Sequence, residues 1–244
     1  MKAMNLYILV EGKSEKYIYS AWLKHLLPDL IQVDSPYLVD INNYYLFSCC
    51  GIPSIITDVP KAIEDMNEIG KFDYLLVALD ADELTIDERR QEVIEEIRKQ
   101  NSSFDESKLI IIVQNRCIET WCLGNRKVFS RQPQTQEFLE CNSFYRVNSD
   151  DPELMGRDSR VSRTTTIAQY HEYYLRKMLS ERNINYSKGK RSQAVQETHY
   201  LNELMLRISE TDHLASFKYF IEIVNGLKQL LVPQSQIAVA EEDI

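Results

Sequence analysis

Three uninterrupted apolar runs, rich in β-branched and aromatic residues, constrain this chain more than any other feature. They are residues 5–10 (NLYILV), which run into Glu11; residues 72–79 (FDYLLVAL), which run into Asp80-Ala81-Asp82; and residues 109–114 (LIIIVQ), which are followed by Glu119. A strand with one wet face alternates apolar and polar residues. Continuous runs instead predict strands buried on both faces, the situation of a parallel sheet covered by helices on both sides.

The segments between these runs have helical spacing. Tyr17, Ile18, Ala21, Trp22 and Leu26 recur at that spacing up to Pro28, with Ser14 as the expected cap. Residues 59–69 predict a helix with Pro60 in its first turn. Thr85 opens a charged helix, ERRQEVIEEIRKQ, whose acids lie toward its start and bases toward its end, as the helix dipole favours. A further apolar segment, residues 37–48, is interrupted by Asn42-Asn43. Strands alternating with helices over the first 125 residues predict an α/β fold, a mostly parallel Rossmann-like sheet flanked by helices, with a helical C-terminal addition.

In the rest of the chain, residues 132–163 are polar and aperiodic and read as a loop insertion. Residues 166–182, 193–209 and 217–231 read as helices. The expected organisation is an α/β domain over 1–130, a loop insertion and helical region over 131–232 that completes the site, and a frayed tail over 233–244. With 244 residues, 44% hydrophobic and only 7 Gly and 7 Pro, the composition is that of a folded globular chain.

Several function classes are disfavoured. No run approaches the ~20 apolar residues of a membrane helix, and the N-terminus lacks a signal-peptide layout, so a cytoplasmic location without membrane partners is expected. The five cysteines and four histidines form no zinc-ligand spacing, and adjacent Cys49-Cys50 read as packing rather than a redox pair. Trp22 and Trp121 read as core aromatics. His171 and His199 lie in a basic region, where a general-base role is open although no acid–base arrangement in the sequence supports it. A net charge of −9 opposes non-specific coating of nucleic acid. Between residues 157 and 191, however, nine Lys/Arg face three acids: Arg157, Arg160, Arg163, Arg176, Lys177, Arg182, Lys188, Lys190 and Arg191 against Asp158, Glu172 and Glu181. That segment reads either as a solvated face or as a phosphate-backbone groove.

The chemistry is expected where the strands end. In open α/β sheets, functional groups collect at the carboxyl edge, where loops converge and helix N-termini point at the site. Glu11, Asp80, Asp82 and Glu119 would share that edge. Such acids repel by several kcal/mol in a partly dry cleft unless a cation sits among them, and Mg²⁺ or Mn²⁺ suits carboxylate oxygens and a phosphate substrate. A shared site requires Glu11 and Asp80 to lie within about 10 Å of each other.

ILVEGKSE followed by YLLVALDADE resembles the TOPRIM domain shared by topoisomerases, primases, OLD-family nucleases and small stand-alone prokaryotic proteins. The likeness spans roughly residues 5–125 and rests on Glu11-Gly12 and on Asp80-Ala81-Asp82. Glu15 supplies the second acid of the OLD-like EGxxE form. RCIETW, with Glu119, is similar to a late acid segment of the small OLD-like proteins. Tyr186-Ser187-Lys188-Gly189-Lys190 looks like the lysine-bearing segment of such domains, although its residues read equally as a basic turn.

The resemblance implies a metal-dependent endonuclease. Glu11, Asp80, Asp82 and Lys188 would be catalytic, and Glu11, Glu15, Asp80, Asp82 and Glu119 would hold two Mg²⁺ or Mn²⁺ ions. Lys13, Arg157, Arg160, Arg163, Lys188, Lys190 and Arg191 would meet nucleic acid, DNA or RNA. It further implies an antiviral or mobile-element setting. Gly12-Lys13-Ser14 lacks the upstream glycine of a P-loop, so any ATPase would be a separately encoded partner. The alternative is a catalytically weak TOPRIM binding or regulatory subunit of an ATPase complex. A receiver-like domain would need a lysine after a later strand, and Gln114-Asn115-Arg116 offers none. A homo-oligomer is compatible with the sequence.

Overall fold

The computed structural model describes residues 3–100, 103–189 and 193–231. Five strands, β1 (Leu6–Val10), β2 (Ile31–Val33), β3 (Asn43–Ser48), β4 (Tyr74–Asp80) and β5 (Leu109–Gln114), form one sheet in the order β2-β3-β1-β4-β5. Every pairing is parallel. The class is therefore α/β, as the continuous apolar runs require. From β1 the chain steps out to the β2 edge, returns to β3, then crosses β1 to reach β4 and β5. This reversal places the carboxyl ends of β1 and β4 at a topological switch point.

Alternation along the buried strands feeds two cores. Leu6, Ile8, Val10, Leu76, Ala78 and Ile112 point into one, and Tyr7, Leu9, Leu75, Val77, Leu79 and Val113 into the other. Helices α2 (Ser54–Ile69) and α3 (Ile86–Gln100) contribute Ile55, Val59, Ile63, Val93 and Ile97 to the second core. The first is closed by α1 (Lys13–Leu26) together with α4 (Ile118–Cys122), α5 (Gln136–Phe144), α6 (Ile167–Ser180), α7 (Gln193–Gln196), α8 (Thr198–Glu210) and α9 (Ala215–Leu230). One core is thus built from both the N-terminal α/β segment and the C-terminal helices.

Trp22 and Trp121 lie wholly inside the first core. Each indole N–H is satisfied there, Trp22 by the Val195 carbonyl at 3.0 Å and Trp121 by Ser216 Oγ at 2.7 Å. At the amino edge of the sheet, Asn5 ties three segments together. Its amide donates to the carbonyls of Asp40 and Lys71, and its side-chain oxygen accepts from the Asn43 N–H. This clasp favours the register Leu6↔Tyr44 and Leu6↔Tyr74, which carries through to Val10↔Ala78 and so decides which residues meet at the opposite edge.

Several local expectations are corrected. The second helix starts at Ser54, so Pro60 lies inside it rather than in its first turn. An interior proline costs ~3 kcal/mol, and burial of Ile55, Val59, Pro60 and Ile63 against the sheet offsets that cost. The N-cap position of α1 is Gly12, and Ser14 sits within the first turn with its hydroxyl turned to another segment. Residues 132–163 include a helix, α5, that buries Phe138 and Cys141. The span 193–209 is split at Glu197, whose extended backbone separates α7 from α8. Thr85 does cap the charged helix, exchanging hydrogen bonds with Glu88. Among the described residues no helix is long and apolar enough to cross a membrane. The 233–244 tail lies outside the described residues.

Candidate active site

The parallel register carries β1 and β4 to the same edge, where their terminal acids meet. Glu11 turns toward β4, and its Oε2 accepts the Asp80 backbone N–H at 2.9 Å. Glu11 and Asp80 are therefore immediate neighbours. Gly12 has extended backbone, with φ −138°, so a left-handed turn is not what its glycine provides. A Cβ there would come 2.7 Å from Glu15 Oε2, so the missing side chain leaves room for the Glu15 carboxylate one helical turn on. Glu15 is buried, and burial together with the neighbouring Glu119 and Glu11 charges pushes its carboxyl up to about 7.

Asp80 closes β4 and is buried. Burial raises its carboxyl well above the ordinary range, and the charges of Glu11, Glu15 and Glu119 add to the rise. Burial raises Glu11 as well, opposed by its hydrogen bond from the Asp80 backbone. Glu119, in the first turn of α4, is fully buried, and its Oε1 accepts the Tyr186 hydroxyl at 2.9 Å. Lys188 Nζ lies 4.0 Å from Glu119 and 3.6 Å from Glu172. The Glu119 charge is the main reason that the ammonium is held well above its ordinary value. The loop carrying Tyr186 and Lys188 is pinned to the start of α1, because the Gly189 N–H donates to Ser14 Oγ at 2.8 Å.

Asp82 is half-buried and adopts the left-handed conformation, φ 52°, one that Asp tolerates better than most residues. Its N–H donates to the carbonyl of Arg116, which is itself left-handed at φ 71°. The Arg116 guanidinium donates back to the carbonyls of Asp82 and Leu84 at 3.0 and 3.1 Å. The two strand-end loops thus hold each other in strained backbone, a pattern that clusters at functional sites.

Sequence reasoning missed four contributors. Arg89 is buried, donates to the carbonyls of Asp80 at 3.0 Å and Ala81 at 3.3 Å, and lies 3.8 Å from the Asp82 carboxylate. A signal for it was available, since Arg89, Val93 and Ile97 fall four apart on the buried stripe of α3. Glu172 holds Lys188. Tyr186 orients Glu119. The fourth, Gln114, donates through Nε2 to the Tyr19 hydroxyl at 2.8 Å, and both residues are fully buried. Of the residues expected at nucleic acid, Lys13 and Arg163 are exposed. Arg157 donates to the carbonyls of Arg163 and Thr165, and Arg160 is bidentate to Asp158, so both guanidiniums also fold their own loop. Lys190 and Arg191 lie outside the described residues. His171 is no general base. Its Nε2 donates to the Met155 carbonyl, its Nδ1 accepts from Thr120, and burial lowers its pKa to about 4. His199 is exposed on α8.

The donor set suits a hard divalent cation. It is made of carboxylates, and Asp80 Oδ1 and Glu119 Oε2 are buried with no hydrogen-bond partner. Such oxygens are costly to leave unpaired. Among the described residues, no three His, Cys, Asp or Glu side chains stand close enough together to hold a metal ion as they are placed. Comparison with protein-family models, curated proteins and solved structures finds no match for this chain. What fold and site define is a parallel α/β protein with a buried carboxylate cluster and a lysine at its switch point.

Proposed function

We propose that this chain is a divalent-cation-dependent nuclease that hydrolyses phosphodiester bonds of nucleic acid. One observation carries the reading. Asp80, buried and with an unpaired oxygen, lies among the charges of Glu11, Glu15 and Glu119, an arrangement that costs stability unless positive charge is brought to it. The resemblance of ILVEGKSE and YLLVALDADE to OLD-like TOPRIM nucleases supports the same chemistry.

Glu11, Glu15, Asp80, Asp82 and Glu119 would hold Mg²⁺ or Mn²⁺, in two sites. When bound, such ions activate water near neutral pH and offset charge on the phosphate. The chain's own side chains do the rest. Arg89 and Arg116 hold the Asp80–Leu84 turn through its carbonyls and so aim both aspartates. Tyr186 fixes the Glu119 carboxylate. Lys188, kept protonated by Glu119 and Glu172, would bring positive charge to the leaving oxygen. A separately encoded ATPase partner, an antiviral setting and a cytoplasmic location belong to this proposal through the sequence alone.

The test is incubation of plasmid, linear DNA and tRNA with the wild type, Glu11→Ala and Asp80→Ala in Mg²⁺, Mn²⁺ or EDTA. The wild type should cleave at least one substrate with either metal, and both variants should be inert while keeping the wild-type circular dichroism spectrum. Cleavage that persists in both variants overturns the assignment. A wild type that is inert but retains an ATPase in a pull-down points to the binding-subunit alternative.

A further inference from the structure

A second basic feature lies away from the acids. The loop after α4 and the end of α6 enclose an open cavity of about 680 Å³, lined by Arg126, Lys127, Ser130, Arg131, Glu181 and Arg182 among others. Two of its four cations are already paired with carboxylates, Arg126 with Glu210 and Lys127 with Glu203. The other two are not. Arg182 donates to the carbonyls of Val128 and Phe129, at 3.1 and 3.0 Å, so its position is fixed; its charge is felt by the adjacent Glu181, but among the described residues no carboxylate pairs with it directly. Arg131 is exposed and has no ion pair among the described residues. The lone acid of the lining, Glu181, is closed off by the N–H groups of Gln134 and Thr135 and by the Thr135 hydroxyl. Two guanidiniums that among the described residues have no carboxylate in direct ion-pair contact, beside one acid whose oxygens are engaged by neutral donors, leave the lining with a net positive charge that suits an anion.

The chain path ties this cavity to the acids. Arg182 at the cavity and Lys188 beside Glu119 belong to one loop, six residues apart, which limits their separation to about 20 Å. Helix α6 gives a similar span. Glu172, which holds Lys188, precedes Ser180, the last helical residue, by eight positions, about 12 Å of helical rise, and Arg182 follows two residues on. One strand of a duplex advances about 3.4 Å per phosphate, so a span between about 12 and 20 Å covers about four to six phosphates.

We propose that the cavity is a second phosphate subsite. In it Arg131 and Arg182 take the backbone of a nucleic-acid strand about five nucleotides from the phosphodiester at Asp80. The proposal rests on the nuclease reading for the identity of its strand. It would supply affinity and set a minimum substrate length, with little sequence preference.

Arg131→Glu is the informative variant, because Arg131 has no ion pair that folding depends on; Arg182→Ala, checked for folding by circular dichroism, is the companion. Binding of fluorescein-labelled hairpin DNA and RNA is measured by polarisation in EDTA over a salt series, using stems of about 24 and about 4 base pairs, the latter too short to bridge five phosphates of one strand. The longer stem should bind the Arg131→Glu protein at least about fivefold more weakly, with a salt slope shallower by roughly 0.9 per lost phosphate contact, while the short stem is unaffected. Unchanged binding of the long stem, equal weakening of both lengths, or no binding of either by the wild type overturns the subsite. The two readings fail separately. If Glu11→Ala leaves cleavage intact while Arg131→Glu weakens only the long stem, the acid site falls and the cavity stands; the converse pair of results removes the cavity alone.

Discussion

Glu15→Gln should make the protein more stable while removing part of its proposed function. In the folded chain the Glu15 carboxyl is pushed from the ordinary 4.5 up to about 7, chiefly by burial and then by Glu119. Between pH 4.5 and pH 7 the folded state therefore holds a proton that the unfolded state has released. Stability falls as pH rises through that window, and the full penalty is present above it. At about 1.36 kcal/mol per pH unit, the penalty reaches about 3 kcal/mol. Glutamine keeps the shape and carries no charge, so at pH 8 in EDTA the variant should unfold at a temperature about 6–12 °C higher, using about 2–4 °C per kcal/mol for a chain of this size. At pH 5 the folded wild-type carboxyl is itself protonated, the penalty falls below about 1 kcal/mol and the gap should close to about 2–3 °C. Thermal unfolding followed by circular dichroism at pH 5, 6, 7 and 8 measures this directly. A gain of the same size at pH 5 and pH 8, or no gain at pH 8, refutes the electrostatic account of the cluster.

Other perturbations test separate parts of the structure. Manganese should raise the wild-type unfolding temperature more at pH 8 than at pH 6, because ligating carboxylates must lose their protons, and Asp80→Asn should lose most of that response; equal responses at both pH values would remove the carboxylates as ligands. Arg89→Met strands the Asp80 and Ala81 carbonyls and the Glu92 carboxylate, and should cost about 2–4 kcal/mol in urea unfolding; a loss under about 0.5 kcal/mol would show that the turn holds without it. Tyr186→Phe removes a hydrogen bond to a buried carboxylate and should weaken manganese binding about tenfold in calorimetry with the fold unchanged. Trp22→Ala empties a fully buried site whose indole also bonds Val195, for a loss of about 3–5 kcal/mol in the same urea assay.

The elements legible in the sequence are those governed by short-range pattern. Residues 5–10, 72–79 and 109–114 are unbroken apolar runs because β1, β4 and β5 occupy the interior of a covered sheet, and they match observed strands to within two residues. The edge strand β2 spans only Ile31–Val33, and its first two residues are exposed, so it carries no such signal. Helix α5 was hidden because only Phe138 and Cys141 of its nine residues are buried. Pro60 misled for a physical reason: intrinsic preference places proline in a first turn, and packing overrode it.

By itself, the sequence determined the fold class and the positions of the acids along the chain. A run buried on both faces allows few architectures, and a parallel sheet sends every strand's carboxyl end to one edge. Only the tertiary structure decided what surrounds those acids. The helical period could place Arg89 on the buried face of α3 but not against the Asp80 carbonyl, Tyr186 and Lys188 come from a loop about 70 residues beyond Glu119, and Gln114 meets Tyr19 across 95 residues. Such contacts depend on where whole helices pack, and no local period of the chain encodes that.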